Sequence, residues 1–145
     1  MYMARQCRIL VIDDDPHLCR TLTLMLEHAG YAVTGALGEP EFLGHVSFAG
    51  YDLILLDITA LAPSGVEVLR WVQQCCANLP ILVLIGEDLS NLDAELRHQG
   101  AKAILYKPFS AESLLIKVTE LLHPDDQPDP SCAPAAPPRP NSHAG

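Results

Sequence analysis

The feature that most constrains the fold is a short, unbroken apolar run that ends on a single acid. Leu53-Ile54-Leu55-Leu56 leads to Asp57 within YDLILLDITALAPSG at 51–65. A run without polar alternation is buried on both faces, which suits a strand inside a parallel sheet covered by helices on each side. Ala62-Pro63-Ser64-Gly65 then breaks the pattern. In open α/β sheets the chemistry gathers outside the carboxyl ends of the strands. Asp57 therefore reads either as a nucleophile or metal ligand placed for work, or as an ordinary strand-end turn residue bonded to its own backbone.

The same strand-then-break pattern recurs along the chain. Arg8-Ile9-Leu10-Val11-Ile12 forms a first buried run, and it meets Asp13, Asp14 and Asp15 before Pro16. Asp15 with Pro16 is a helix start: an acid as N-cap, and proline at the first helical position, where its missing N–H costs nothing. Leu18, Leu22, Met25 and Leu26 follow at helical spacing, and Gly30 is placed to end the helix. Capping accounts for Asp15 but leaves Asp13 and Asp14 unexplained at a strand's carboxyl end.

Tyr31-Ala32-Val33-Thr34 makes a second strand, and Pro40, Phe42, Leu43 and Val46 a weak helix interrupted by Gly44. Beyond Gly65, Val66, Leu69 and Val72 share a helix face that ends around Asn78, before Pro80. Ile81 to Ile85 is a fourth strand; Leu89, Leu92 and Leu96 pattern a fourth helix closed at Gly100. Ala103-Ile104-Leu105-Tyr106 is a fifth strand running into Lys107-Pro108-Phe109, and Ser110 caps a last helix that buries Leu114, Leu115, Val118, Leu121 and Leu122. Alternation at spacings suited to right-handed crossovers gives an α/β fold, a parallel sheet with helices on both faces.

This domain is expected over residues 1–123. From Pro124 the character changes: seven of the last 22 residues are proline, without apolar periodicity. Residues 124–145 are expected to form a disordered Pro/Ala-rich tail, since such a segment buries too little surface to offset its ordering entropy. Across the whole chain, 49% of residues are hydrophobic, enough for a core, and the net charge of -9 argues against a nucleic-acid backbone or anionic membrane as direct partner. Nothing approaches the roughly 18–20 apolar residues of a membrane span, and Met1 to Arg8 lacks a leader-like apolar stretch, so a cytoplasmic location is expected. The five cysteines form no C-x-x-C pair and read as reduced thiols; the six histidines are scattered and suggest no zinc site.

Three pieces in order carry a family resemblance: VIDDDP at 11–16, LLD at 55–57 with Gly65 eight positions on, and GAKAILYKPF at 100–109. Together they resemble the receiver domain of two-component response regulators over roughly residues 7–122. The resemblance implies a flavodoxin-like sheet of order 2-1-3-4-5. It also implies that Asp13 and Asp14 hold Mg2+, with Asp57 and the backbone carbonyl of Thr59 as further ligands. Asp57 would accept a phosphoryl group from a phosphohistidine on a sensor histidine kinase or a histidine phosphotransfer protein. Lys107 would neutralise charge on the phosphoryl oxygens, and a cis Lys107-Pro108 peptide is expected. The output would pass to a downstream protein by contact, with no direct role for nucleic acid or membrane.

Departures from the family pattern fall at the switch positions. Ile85 stands where the family usually has Thr or Ser, Ile104 where it has Tyr or Phe, and Leu61 where it has Pro, with Pro63 two residues later. Gly86 keeps the small residue expected beside the site. The expectation is a phosphoacceptor whose usual hydroxyl-to-aromatic coupling is absent, since the lost hydrogen bond to a charged group is worth about 1.5–3 kcal/mol. A phosphorylation-independent docking module on the same fold is the first rival. A phosphohydrolase working through an aspartyl-phosphate is the second, but Asp57-Ile58-Thr59 lacks the second acid of a D-x-D nucleophile motif.

Overall fold

The apolar runs pair as one five-stranded parallel sheet in the order β2-β1-β3-β4-β5, and the computed structural model describes residues 6–13, 15–36, 47–58 and 65–123. The strands are β1 (Arg8–Ile12), β2 (Ala32–Ala36), β3 (Leu53–Asp57), β4 (Ile81–Gly86) and β5 (Ala103–Lys107). The described helices are α1 (Pro16–His28), α2 (Gly65–Cys75), α3 (Asp93–His98) and α4 (Ala111–Leu122). This is the α/β architecture that the alternation of elements implies.

Burial follows position in the sheet. All five residues of β3 are buried, whereas β2 and β5 at the edges show part of their surface. Alternate residues of each strand feed two separate cores, as the strand's period of two requires. On one face Ile9, Val11, Leu53, Leu55, Leu82, Leu84 and Leu105 pack with Leu22 and Leu26 of α1 and Leu114 and Val118 of α4. On the other, Leu10, Ile12, Ile54, Leu56, Val83, Ile85 and Ile104 pack with Leu69 and Val72 of α2 and Leu96 of α3. Each fully buried Leu or Ile contributes about 1.5–3 kcal/mol, so these two layers hold the strands in register.

Local signals set the helix ends. The Asp15 side chain accepts from the N–H groups of His17 and Leu18 and caps α1, with Pro16 as its first residue. Ser110 caps α4 in a reciprocal pair of bonds with Ser113. Gly30 and Gly100 follow α1 and α3 with φ of 105° and 125°, a left-handed backbone that a side chain would strain.

Several expectations change in detail. The fourth helix is not one regular element: Glu87–Leu92 is a 3-10 segment with a non-helical kink at Leu89, and only Asp93–His98 is α-helical. Neither segment has a side-chain N-cap. The spacing of Leu89, Leu92 and Leu96 marked the core-facing side correctly but could not reveal the kink. β2 runs to Ala36 and β5 to Lys107, beyond the predicted ends, because backbone pairing with β1 and β4 continues there. Cys19, Cys75 and Cys76 are free thiols, in line with the expectation, and Cys7 is wholly buried before β1. The helix expected at 40–46 and the tail at 124–145 lie outside the described residues. Among the described residues no helix is long and apolar enough to cross a membrane.

Candidate functional site

Register brings the candidate acids together. Ile12 of β1 pairs with Leu56 of β3, so the residues that follow, Asp13 and Asp57, leave adjacent strands at the same level. Asp57 pairs with Leu84, which in turn pairs with Leu105, and Lys107 lies two residues further along β5. Val11, Leu55 and Leu105 all face the α1/α4 core, and two residues on from each comes Asp13, Asp57 or Lys107. Strand alternation thus points all three side chains to one side of the sheet at its carboxyl edge.

The polar groups at this mouth are buried, which gives their charges weight. Asp13 is 0% and Asp57 1% exposed. Lys107 donates from Nζ to Asp57 Oδ2 at 2.6 Å, and its side chain is 26% exposed, so the ammonium bridges the interior and solvent. Asp13 Oδ1 accepts the backbone N–H of Asp15 at 2.9 Å, while Asp13 Oδ2 is buried with no donor among the described residues. Burial pushes the Asp13 carboxyl up to about 7; the Asp15 N–H opposes this, the Asp57 charge adds to it, and Lys107 draws it partly back.

An unsatisfied buried carboxylate oxygen beside a second carboxylate is a costly arrangement. Either a proton or a cation relieves it, and hard carboxylate oxygen donors fit Mg2+ better than a softer metal. The residues present therefore fit the group. Among the described residues no three His, Cys, Asp or Glu side chains gather as a metal cluster; Asp14 and Thr59, the other expected ligands, lie outside them, as do Leu61 and Pro63.

The expected switch positions sit elsewhere. Ile85 is 0% and Ile104 4% exposed, both in the α2/α3 core on the opposite side of the sheet from Lys107. Gly86 ends β4 and pairs with Lys107, and a Cβ there would fall 2.5 Å from Asp88 Oδ1. The Lys107-Pro108 peptide is cis, as the resemblance implied.

Two features were not read from the sequence. The first is the Asp15 backbone N–H that orients Asp13; an acid bonding the N–H two residues on is a common turn device, so DDD followed by Pro was a usable signal. The second is a hydrogen bond from Tyr106 Oη to Asp93 Oδ2 at 2.5 Å, between residues 13 apart with no local pattern to join them.

Comparison with known proteins agrees with this geometry. A family model described as response regulator receiver domain matches residues 9–119. The chain is 36% identical over 130 residues to Response regulator MprA of Mycobacterium sp. (strain KMS), covering 84% of this chain and 54% of that protein. It is 34% identical over 112 residues to the cell cycle transcriptional regulator CtrA of Caulobacter vibrioides, covering 77% and 48% respectively. The chain thus spans about half the length of the curated relatives it matches. A CheY-like receiver domain structure from Methanospirillum hungatei superposes with TM-score 0.71 at 25% identity, covering 81% of this chain and 94% of that one. Vibrio cholerae chemotaxis protein CheY4 gives TM-score 0.70 at 26% identity, covering 81% and 99%. Sheet order, strand-end acids and the family match over 9–119 lead to one conclusion: the chain belongs to the response regulator receiver domain family of two-component signalling.

Proposed function

We propose that the domain accepts a phosphoryl group on Asp57 from a phosphohistidine and signals through protein contacts. The observation that carries this reading is the 2.6 Å pair between Lys107 Nζ and Asp57 Oδ2, at a buried mouth where Asp13 offers a carboxylate oxygen with no donor. An Asp57 oxygen forms the new O–P bond as the P–N bond to the donor imidazole breaks, and the departing nitrogen regains its proton. Lys107 exchanges part of its bond to Asp57 for the phosphoryl oxygens, holding a positive charge where negative charge accumulates. Asp13, fixed by the Asp15 N–H, holds the metal side of the mouth together with Asp14, Asp57 and the Thr59 carbonyl. Mg2+ bound there supplies charge neutralisation at the phosphoryl group.

The donor on this reading is a sensor histidine kinase or a histidine phosphotransfer protein, and the recipient is an output module. Named relatives include a transcriptional regulator, yet the net charge of -9 supports contact with protein rather than nucleic acid for this domain itself. A cytoplasmic location follows from the kinase partnership.

The test is phosphate incorporation from acetyl phosphate in Mg2+, read by intact mass. Wild type gains one phosphoryl group and Asp57→Asn gains none. Labelling that survives Asp57→Asn removes Asp57 as acceptor. One observation supports a second reading, a docking module that does not use phosphate: Ile85 and Ile104 offer no hydroxyl and no rotating aromatic ring. Absence of labelling in wild type with every donor tried, kinase included, selects that reading.

A further inference from the structure

Helix α3 has six residues, buries only Leu96, and has no side-chain N-cap. A helix this short does not hold itself together in water, where isolated helices below about 12–15 residues are marginal. Its order therefore depends on tertiary ties. At its carboxyl end Arg70 Nε donates to Gln99 Oε1 at 3.0 Å. At its amino end, Asp93 accepts from Tyr106 Oη through Oδ2 at 2.5 Å and from Arg97 Nε through Oδ1 at 2.7 Å. The Tyr106 ring also packs partly buried against the α2/α3 core.

Tyr106 is bonded in sequence to Lys107, the residue that grips Asp57, and the two side chains leave β5 on opposite faces. Among the described residues β5 is an edge strand that pairs only with β4, and Tyr106 and Lys107 close that pairing opposite Ile85 and Gly86. A movement of the Lys107 backbone is therefore shared by Tyr106. A short directional hydrogen bond tolerates little of it, since geometry beyond about 3.5 Å is no bond.

We propose that the Tyr106–Asp93–Arg97 chain is a latch that couples the Asp57–Lys107 pair on one face of the sheet to the ordering of α3 on the other. While Lys107 is paired with Asp57 the latch is closed and α3 is held. When the pairing of Lys107 changes, the end of β5 shifts, the phenol leaves Asp93, and α3 opens. The coupling needs neither Ile85 nor Ile104. It rests on the proposed role of the site only for the natural trigger, because breaking the pair by mutation also works the latch.

Amide hydrogen exchange of residues 93–98 tests it, with residues 114–118 of α4 as internal reference. Tyr106→Phe removes one oxygen and leaves the ring, and exchange in α3 should rise roughly three- to tenfold while α4 is unchanged. Lys107→Met should raise α3 exchange by a similar factor, and the double variant should show no further increase, because both changes open the same latch. Unchanged α3 exchange in Tyr106→Phe overturns the latch. A rise in Tyr106→Phe but none in Lys107→Met overturns its coupling to the site, and additive rises show two independent ties and do the same. Acetyl phosphate labelling of the wild type, measured separately, reports on the acceptor reading alone.

Discussion

The carboxylate mouth at Asp57 and the Ile85/Ile104 pair lie on opposite faces of the same sheet and are built oppositely. At the mouth, Asp13, Asp57 and Lys107 bring three ionisable groups together under burial, and Asp13 is left with an oxygen that nothing satisfies. On the other face, Ile85 and Ile104, with no polar side-chain atom of their own, join an apolar core that also takes in Phe48 and Trp71. One region stores electrostatic free energy that a proton or a cation can release. The other stores only packing, which a change of charge nearby cannot address directly. The polar mouth and the apolar pair thus stand on opposite faces of one sheet, and strand alternation lets the side chains of each face vary without the other.

The comparison breaks first at Asp57. Asp57→Asn should lower phosphate incorporation by well over ~100-fold, as removal of a nucleophile does, and labelling within a few fold of wild type would show that the mouth is not the acceptor.

Asp13 sharpens the same contrast through stability. Its folded value of about 7 stands above the ordinary 3.8, so the ionised form is the one burial disfavours. Below 3.8 both states are protonated and the group costs nothing; the cost grows as pH rises from 3.8 and is complete above about 7. A shift of this size corresponds to on the order of 4 kcal/mol, and relaxation of the site brings the expected effect to about 2–3 kcal/mol. Asp13→Asn should therefore stabilise the metal-free protein by that amount at pH 8, and by little at pH 4, in urea unfolding. Mg2+ should raise Tm in wild type at pH 8 and do so far less in Asp13→Asn. A variant less stable than wild type at pH 8 without metal would contradict the strained mouth.

Ile85→Thr probes the opposite region. Placing a hydroxyl in the dry core in exchange for aliphatic carbon should cost about 1–2 kcal/mol in urea unfolding. In wild type, beryllofluoride with Mg2+ should move the amide resonances of Ile85 and Ile104 only modestly, whereas those of 93–98 and 106–107 report the latch; in Ile85→Thr the changes at 85 and 104 should grow. Equal responses in the two proteins would remove position 85 from any account of transmission.

The smallest effect belongs to Ile104→Val, about 0.5–1.5 kcal/mol of stability with phosphate incorporation unchanged. A fall in labelling there would mean the two regions are less separate than their packing indicates.

Much of this was legible in the residues because it is local. Apolar runs without alternation marked β1, β3, β4 and β5, and Asp15-Pro16 and Ser110 marked helix starts, because caps and buried strands are written within a few positions. The segment before β5 was read less well. Its leucine spacing is helical, yet neither part carries a side-chain cap, and the chain kinks at Leu89. The acids at 13 and 57 and the lysine at 107 could be recognised as a set only through resemblance, since no local rule joins residues 50 apart.

By itself the sequence determined which stretches form strands and where α1 and α4 begin, because apolar runs and caps act over a turn or a few residues, but not how far β2 and β5 pair. Only the tertiary structure decided which charges meet. It brought Lys107 to Asp57, left Asp13 Oδ2 without a donor, and tied Tyr106 to Asp93. The reason is physical: the energy of a charge or an unpaired oxygen depends on burial and on what surrounds it, and strand order and register fix those surroundings across the whole sheet.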